Sequence, residues 1–537
     1  MFFLYRCIFS LLFLINVTSA TFTQVTKVVS SSSDIETLWS ECIDLGETIP
    51  SEDTECIIEV PYNDGIPYEI LNLLEFLYDD ICTYESDIVF KLKILGVVGD
   101  DGEYPILQRT MWYDMDLFLV EKTYSWDCNL IFHIENFDMN AQIKYTGDGF
   151  YMHNTILHDY SGLYNSYETA VILEALGGTS SIYEITNTEF NNNGHYTYTS
   201  GGALQINNIE EDSTVLLNGV EFNENTASSA GAMKFIGYGL NITGCTFDSN
   251  LAYSYGGVIY LDNAHIVSIS NSIFSNNGDA EDILSGGVIY ALSSDEIEIR
   301  NSIFSDSGAY KGGVLFTVGC DEVSIYDSQM SGNMAELDGG AVYFHATSNV
   351  IISGTTFANN EAPDGSGGAL YILYGSTFEI IDCVFRENYN ILGGGIRFHL
   401  SDYVTVTDTV FDSNTAEQYG GGVSMHTVNF ITFQNATFKN NEAPVGGGGG
   451  GIAVETSCGY VTISSCIFDS NNVGEEMGGA ILAAGINSEQ WSIVDSIFKN
   501  NIAELGGGAL YFVSWNGHVA IENCNFTYNR ADLSGAG

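Results

Sequence analysis

Positive charge is scarce in this chain: Lys and Arg total 15 against 69 Asp and Glu, a formal net charge of −54 over 537 residues. A field of that sign repels phosphate backbones, which excludes nucleic acid as a partner and disfavours acidic polysaccharides. Long apolar runs are scarce as well. The one present, Ile8 to Val17 after Arg6, is too short for a membrane span. Followed by the small residues Thr18-Ser19-Ala20, it reads as an export signal over 1–20. No two cysteines stand in a Cys-x-x-Cys pair, so a zinc site has no support. The calcium-binding nonapeptide Gly-Gly-x-Gly-x-Asp is missing too.

What the chain has instead is one motif many times over. Phe357-Ala-Asn-Asn360-Glu-Ala362 is followed by Gly367-Gly368-Ala-Leu-Tyr-Ile372, and Phe438-Lys-Asn-Asn441-Glu-Ala443 by Gly450-Gly451-Ile-Ala-Val454. The motif Phe recurs as Phe190, Phe222, Phe247, Phe274, Phe304, Phe357, Phe385, Phe411, Phe438, Phe468, Phe498 and Phe526, with Met330 in the one gap, giving thirteen copies. A fixed period of this size means stacked repeats. Behind each Gly-Gly, apolar residues fall two apart, as at Leu370 and Ile372 or Ile396 and Phe398, and a second such run precedes each Phe, as at Val404 and Val406. Spacing of two is strand spacing, and no helical period is long enough to fill a repeat. Two or three short strands per repeat, joined by Gly and Asn turns, predict an all-β fold: a parallel β-helix of thirteen or more coils. In this reading the Phe and the small residue two before it, such as Cys383, face inward. The motif Asn takes a left-handed corner and forms an amide ladder, and Gly-Gly makes a second corner.

The pairing of Phe-x-x-Asn with Gly-Gly-Ala-(Ile/Leu/Val) resembles the repeat of the chlamydial polymorphic outer membrane proteins, over about 190–537. The resemblance implies a right-handed, surface-exposed β-helix used as an adhesin or passenger segment, with no catalytic residues. Those relatives carry a C-terminal membrane barrel, which this sequence lacks. Residues 21–54 predict an N-terminal cap with an amphipathic helix bearing Ile35, Leu38, Trp39 and Cys42 on one face, and 55–189 irregular early coils. Residues 190–537 are the regular coils. The sequence stops inside a Gly-Gly-Ala-like corner, so membrane attachment is expected through a segment beyond Gly537.

Cys42, Cys56, Cys82 and Cys128 can pair in an oxidising compartment in any connectivity, whereas Cys245, Cys383, Cys466 and Cys524 read as buried thiols. No cofactor is expected. Weak Ca²⁺ binding is an option at Asp100-Asp101-Gly-Glu103 and Asp279-Ala-Glu281-Asp282, against the plainer reading of solvated turns. His345, His399 and His426 share one phase of the coil, five after the corner. His399 and His426 are expected to stack on adjacent coils, as surface histidines or a metal pair.

The outward feature of most interest is a stripe three after the corner: Tyr260, Tyr290, Phe316, Tyr343 and Tyr371. Gln205, Lys234, Arg397 and Ser424 share that phase, so the stripe is expected to face water. It is a candidate ligand site for a glycan, host-cell or protein surface, or else a ladder that only stabilises the sheet. The chain reads as a non-enzymatic secreted or cell-surface protein for adhesion or a rigid stalk. The alternative is a lyase or glycoside hydrolase of the pectin lyase-like fold. The Gly-His-Gly and Arg-Ile-Lys tripeptides of polygalacturonases are absent, and 69 acidic residues make chance carboxylate pairs uninformative.

Overall fold

A computed structural model of the chain describes 129–533, with breaks at 161–168, 176–181, 196–199, 280–284, 457, 485–489 and 514–516. Before residue 129 it describes 23–29, 35, 37–42, 54–61, 68–70, 74–78, 89–98, 104–109 and 116–122. The chain winds as a right-handed parallel β-solenoid of about 14 turns. One regular coil holds four strands: Val342–His345, Asn349–Ser353, Thr356–Ala358 and Glu361–Ser366. The corner Gly367-Gly368 then starts the next. Each strand pairs in parallel with its counterpart one repeat later, Val342 with Leu370, Asn349 with Thr377, and Phe357 with Phe385. The strands before residue 189 join the same stacks, Gly149–His153 pairing with Ile182–Thr186 and Ile156–His158 with Glu189–Asn191.

Alternation within each strand builds the core. Val342 and Phe344 point in, as do Val350, Ile352 and Phe357, and all are buried. The motif Phe rings stack coil upon coil, with centroids from 4.5 Å (Phe247–Phe274) to 5.0 Å (Phe385–Phe411) and planes within 9°. Two before most of the motif Phe residues, a hydroxyl or thiol forms a second ladder, interrupted by Val220 and Ala436. Ser302 Oγ accepts the Ser272 N–H at 3.2 Å and donates to Arg300 O at 2.8 Å. Cys383 fills the same place and donates to Ile381 O. Burial pushes the thiols of Cys245 and Cys466 up to about 11 and that of Cys383 to about 12, so they stay protonated and inert. Cys524 is half-buried on the last described coil.

The motif Asn forms the expected ladder. Asn360 Nδ2 donates to Asn388 Oδ1 and back to Met330 O, both at 3.0 Å. Its own Oδ1 accepts from Asn333 N and Nδ2, at 3.2 and 3.0 Å. The expected left-handed conformation of that Asn is corrected: it belongs to the residue before it. Asn359 has φ 54°, and so do Glu224, Ser249 and Ser413 at 55–57° or nearby, whereas Asn360 is not among the positive-φ residues. The ladder side chain must point inward from an ordinary strand start, so the reversal falls one residue earlier, where any exposed side chain is accepted. The glycines divide the second corner differently. Gly339 has φ 69°. A Cβ on Gly340 would lie 2.1 Å from Gly368 O of the next coil, a collision of backbones rather than a torsional strain.

The 1–20 export signal, Cys82 and Cys128 lie outside the described residues, as does most of the 21–54 cap. Within 21–54, residues 37–42 are helical, Trp39 packs on Phe118 at 5.4 Å, and Cys42 is disulfide-bonded to Cys56.

Removing one rung orphans two buried donors on the coil below. Asn360→Ala is expected to lower stability by about 3 kcal/mol in urea unfolding. The ladder has one natural gap at Ser307, where Asn277 N donates to a hydroxyl instead of an amide. Ser307→Asn should raise stability by about 1 kcal/mol; a loss there, or no loss for Asn360→Ala, would contradict the role given to the ladder.

Candidate ligand trough

In the first strand of each coil the residues that alternate with the core project outward in two columns. The column nearer the corner runs Lys234, Tyr260, Tyr290, Phe316, Tyr343, Tyr371, Arg397 and Ser424, each paired in register with the next. The five stripe aromatics are therefore stacked on successive coils. Their ring centroids lie 5.2, 5.5, 4.7 and 4.7 Å apart, with edge, stacked, edge and tilted geometry in turn.

The expectation that this column faces open water is corrected. Phe316, Tyr343 and Tyr371 are only 8, 4 and 7% exposed, and Arg397 and Ser424 are buried as well. The chain direction at the corner explains it. The last residue before each corner Gly stands beside the first strand and walls the column on one side. Tyr255 packs on Tyr290 at 4.9 Å, and Lys311 lies over the Tyr343 ring at 5.6 Å and 3.8 Å from Asp338. The second outward column, with Val318, His345, Leu373 and His399, forms the opposite ridge. The result is a trough parallel to the solenoid axis, with the aromatic column as its floor. Tyr260 and Tyr290 keep part of their surface open.

At the Tyr371 end the trough turns polar. Arg397 Nη1 donates to Ser424 Oγ at 2.5 Å and, with Nη2, to both carboxylate oxygens of Glu455, two coils on. Ser424 Oγ also meets Glu455. Burial pulls the Arg397 guanidinium down to about 10, with Tyr371 and Asp338 acting the other way, so it is charged at neutral pH. Burial raises the Asp338 carboxyl, against Lys311, the Ser366 N–H and Arg397. The Tyr371 hydroxyl shares a 2.8 Å hydrogen bond with His399 Nδ1. His399 and His426 meet edge to face at 4.7 Å, the stacking expected of them.

Sequence reading missed the Arg397–Glu455 pair, although each stands at an outward phase of its coil. It also missed Tyr403, Phe430 and Tyr460, each placed just before the inward run of a second strand. Their rings stack at 5.0 Å and 1°, and they are 60, 39 and 42% exposed. Phe430, in the middle, has a ring on either face. Of the acidic Ca²⁺ candidates, only Asp279 falls among the described residues. Those residues hold no group of three or more His, Cys, Asp or Glu suited to a metal ion. No described helix is long and apolar enough to cross a membrane, which leaves strand barrels aside.

Geometry of this kind defines a right-handed parallel β-helix protein. The family model for a right handed beta helix region matches residues 236–407 and 331–487, and the chlamydial polymorphic membrane protein repeat matches 495–513. The chain is thus a β-helix protein of the polymorphic membrane protein repeat type. No curated protein matches it. Among solved structures it is similar to tailspike protein 3 of bacteriophage CBA120, with a TM-score of 0.37 and 11% identity over 81% of this chain. It spans 56% of that tailspike. It is also similar to the periplasmic alginate epimerase AlgG, with TM-score 0.32 and 10% identity over 74% of this chain and 77% of that one. For the PL6 family alginate lyase AlyGC the values are 0.21 and 8%, over 95% and 100%.

Burial, His426 and Arg397 push His399 down to about 4, while in the unfolded chain it returns to about 6.5. As pH falls the unfolded chain takes up that proton first, so this contribution to stability is complete at neutral pH and lost between about 6.5 and 4. His399→Gln should flatten the decline of melting temperature over this window. An unchanged decline would show that His399 is not held neutral in the fold.

Proposed function

We propose that the chain is a non-enzymatic secreted or cell-surface protein that engages a ligand through the trough. The observation that carries this reading is the outward column itself. In the motif Phe stack and the Asn ladder, like repeats on like. Here a run of aromatics leads into Arg397, Ser424 and Glu455 within one walled channel. Core ladders need no such change of chemistry. The polymorphic membrane protein repeat supports display at a surface, and the net charge of −54 supports a soluble exterior. Stripe residues Tyr260, Tyr290, Phe316, Tyr343 and Tyr371 are the proposed binding aromatics, with Tyr260 and Tyr290 the accessible pair.

The second reading is a polysaccharide-active enzyme, favoured by one observation: Asp338, with a raised carboxyl, in the same trough as the Arg397–Glu455 pair. The two readings separate in one set of assays. The purified chain immobilised on beads should capture host cells or glycans, and Tyr260→Ala combined with Tyr290→Ala should weaken capture about tenfold with the melting temperature kept. Release of reducing or unsaturated sugars from a polysaccharide panel, abolished by Asp338→Asn, would instead establish the enzyme.

A further inference from the structure

We propose that the trough takes an uncharged, hydroxyl-rich oligosaccharide, centred on Tyr290, Asp338 and Arg397. This deepens the ligand-binding reading and rests on it. Charge is the first argument. In a chain of net charge −54, the trough is locally neutral: Lys234, Lys311 and Arg397 against Asp262, Asp338 and Glu455. Each of the last two cations is matched within the trough, Lys311 by Asp338 at 3.8 Å and Arg397 by Glu455. The nearby histidines are held neutral, His399 at about 4 and His426 and His345 lowered. An acidic sugar therefore finds the two cations beside Asp338 and Glu455 already matched, Lys234 alone at the far end of the column, and a repelling exterior.

Hydrogen-bonding chemistry is the second argument. Arg and Lys only donate, Asp and Glu only accept, and neutral His and Tyr do both, which is what a hydroxyl group, donor and acceptor at once, requires. One buried donor is left open: Arg397 Nε has no hydrogen-bond partner among the described residues, although the side chain is 5% exposed. A buried polar atom without a partner is costly, and a ligand oxygen reaching it on a small shift of the covering side chains would satisfy it. The half-open rings of Tyr260 and Tyr290 supply apolar surface for the C–H faces of a sugar. From Tyr260 to the coil that Asp338 opens, the trough crosses three coil steps, about 14 Å at strand spacing, along which Tyr260, Tyr290, Lys311 and Asp338 keep part of their surface open.

The fold does not demand this polarity. One coil past Ala453 the floor position is Leu482, followed at the ridge by Ala484, and the coil stacks there in the same register.

An array of neutral and acidic oligosaccharides, probed with the purified chain at low and high salt, tests the proposal. Binding to neutral glycans, insensitive to salt and weakened at least tenfold by Tyr290→Ala and by Asp338→Asn but not by Tyr403→Ser, is the expected result. Asp338→Asn is isosteric, and its melting curve separates lost binding from lost folding. Preference for sulfated, sialylated or uronate glycans overturns the neutral-sugar assignment. So does silence on the array by a chain that still captures cells, an outcome that leaves the ligand-binding reading intact. A chain that binds neither cells nor glycans sinks both.

Discussion

One amide per coil sets the vertical scale of this molecule. A ladder Asn has two N–H donors and a carbonyl that can accept twice, and in coil after coil all four capacities are used by the coils above and below. An interior position that is both polar and fully satisfied is rare and specific. A chain slipped by one residue would put Asn359 or Glu361 where Asn360 belongs and take the Asn360 amide away from its partners. The ladder thereby locks register, and with register locked every other position falls into a column at about strand spacing. The parallel Phe stack and the hydroxyl–thiol ladder follow from that lock.

The second corner determines what the outside can be. A Gly with positive φ and a Gly in backbone contact with the next coil bring the end of the fourth strand tightly alongside the start of the first. Tight turning there makes a concave seam, and residues in a concave seam are buried even when they point away from the core. Tyr343 and Tyr371 are the outcome: outward by parity, covered by geometry. Their burial pushes the Tyr371 phenol up to about 12, so the hydroxyl that meets His399 remains protonated throughout the physiological range.

Much of this was legible in the sequence, because the solenoid repeats its own solution. Period and parity together show the coil, the inward residues, the amide ladder and the alignment of the stripe. What failed has physical causes. The left-handed residue was placed on Asn360 rather than Asn359 because Asn accepts both roles, and composition alone does not choose between a torsion and a hydrogen bond. The cover over the stripe is not legible in the sequence, because parity tells which side of a strand a residue occupies, not how sharply the chain bends beside it. Arg397 and Glu455 escaped notice because they are 58 residues apart and meet only when three coils are stacked.

That pair carries more weight than its size suggests. Taking a guanidinium and a carboxylate out of water costs several kcal/mol, and replacing such a pair with apolar residues of similar volume is often neutral or stabilising. The same columns one coil beyond Ala453 use Leu482 and Ala484, the cheaper arrangement, without disturbing the stack. A solenoid built from interchangeable coils thus contains its own control: where only stability matters, the floor is apolar. Stability alone does not account for an ion pair, an open guanidinium N–H and two neutral histidines in edge-to-face contact concentrated at the end of an aromatic run. Recognition does, because groups of fixed hydrogen-bonding sense, held rigid by their neighbours, are ready for a ligand with no further ordering to be done.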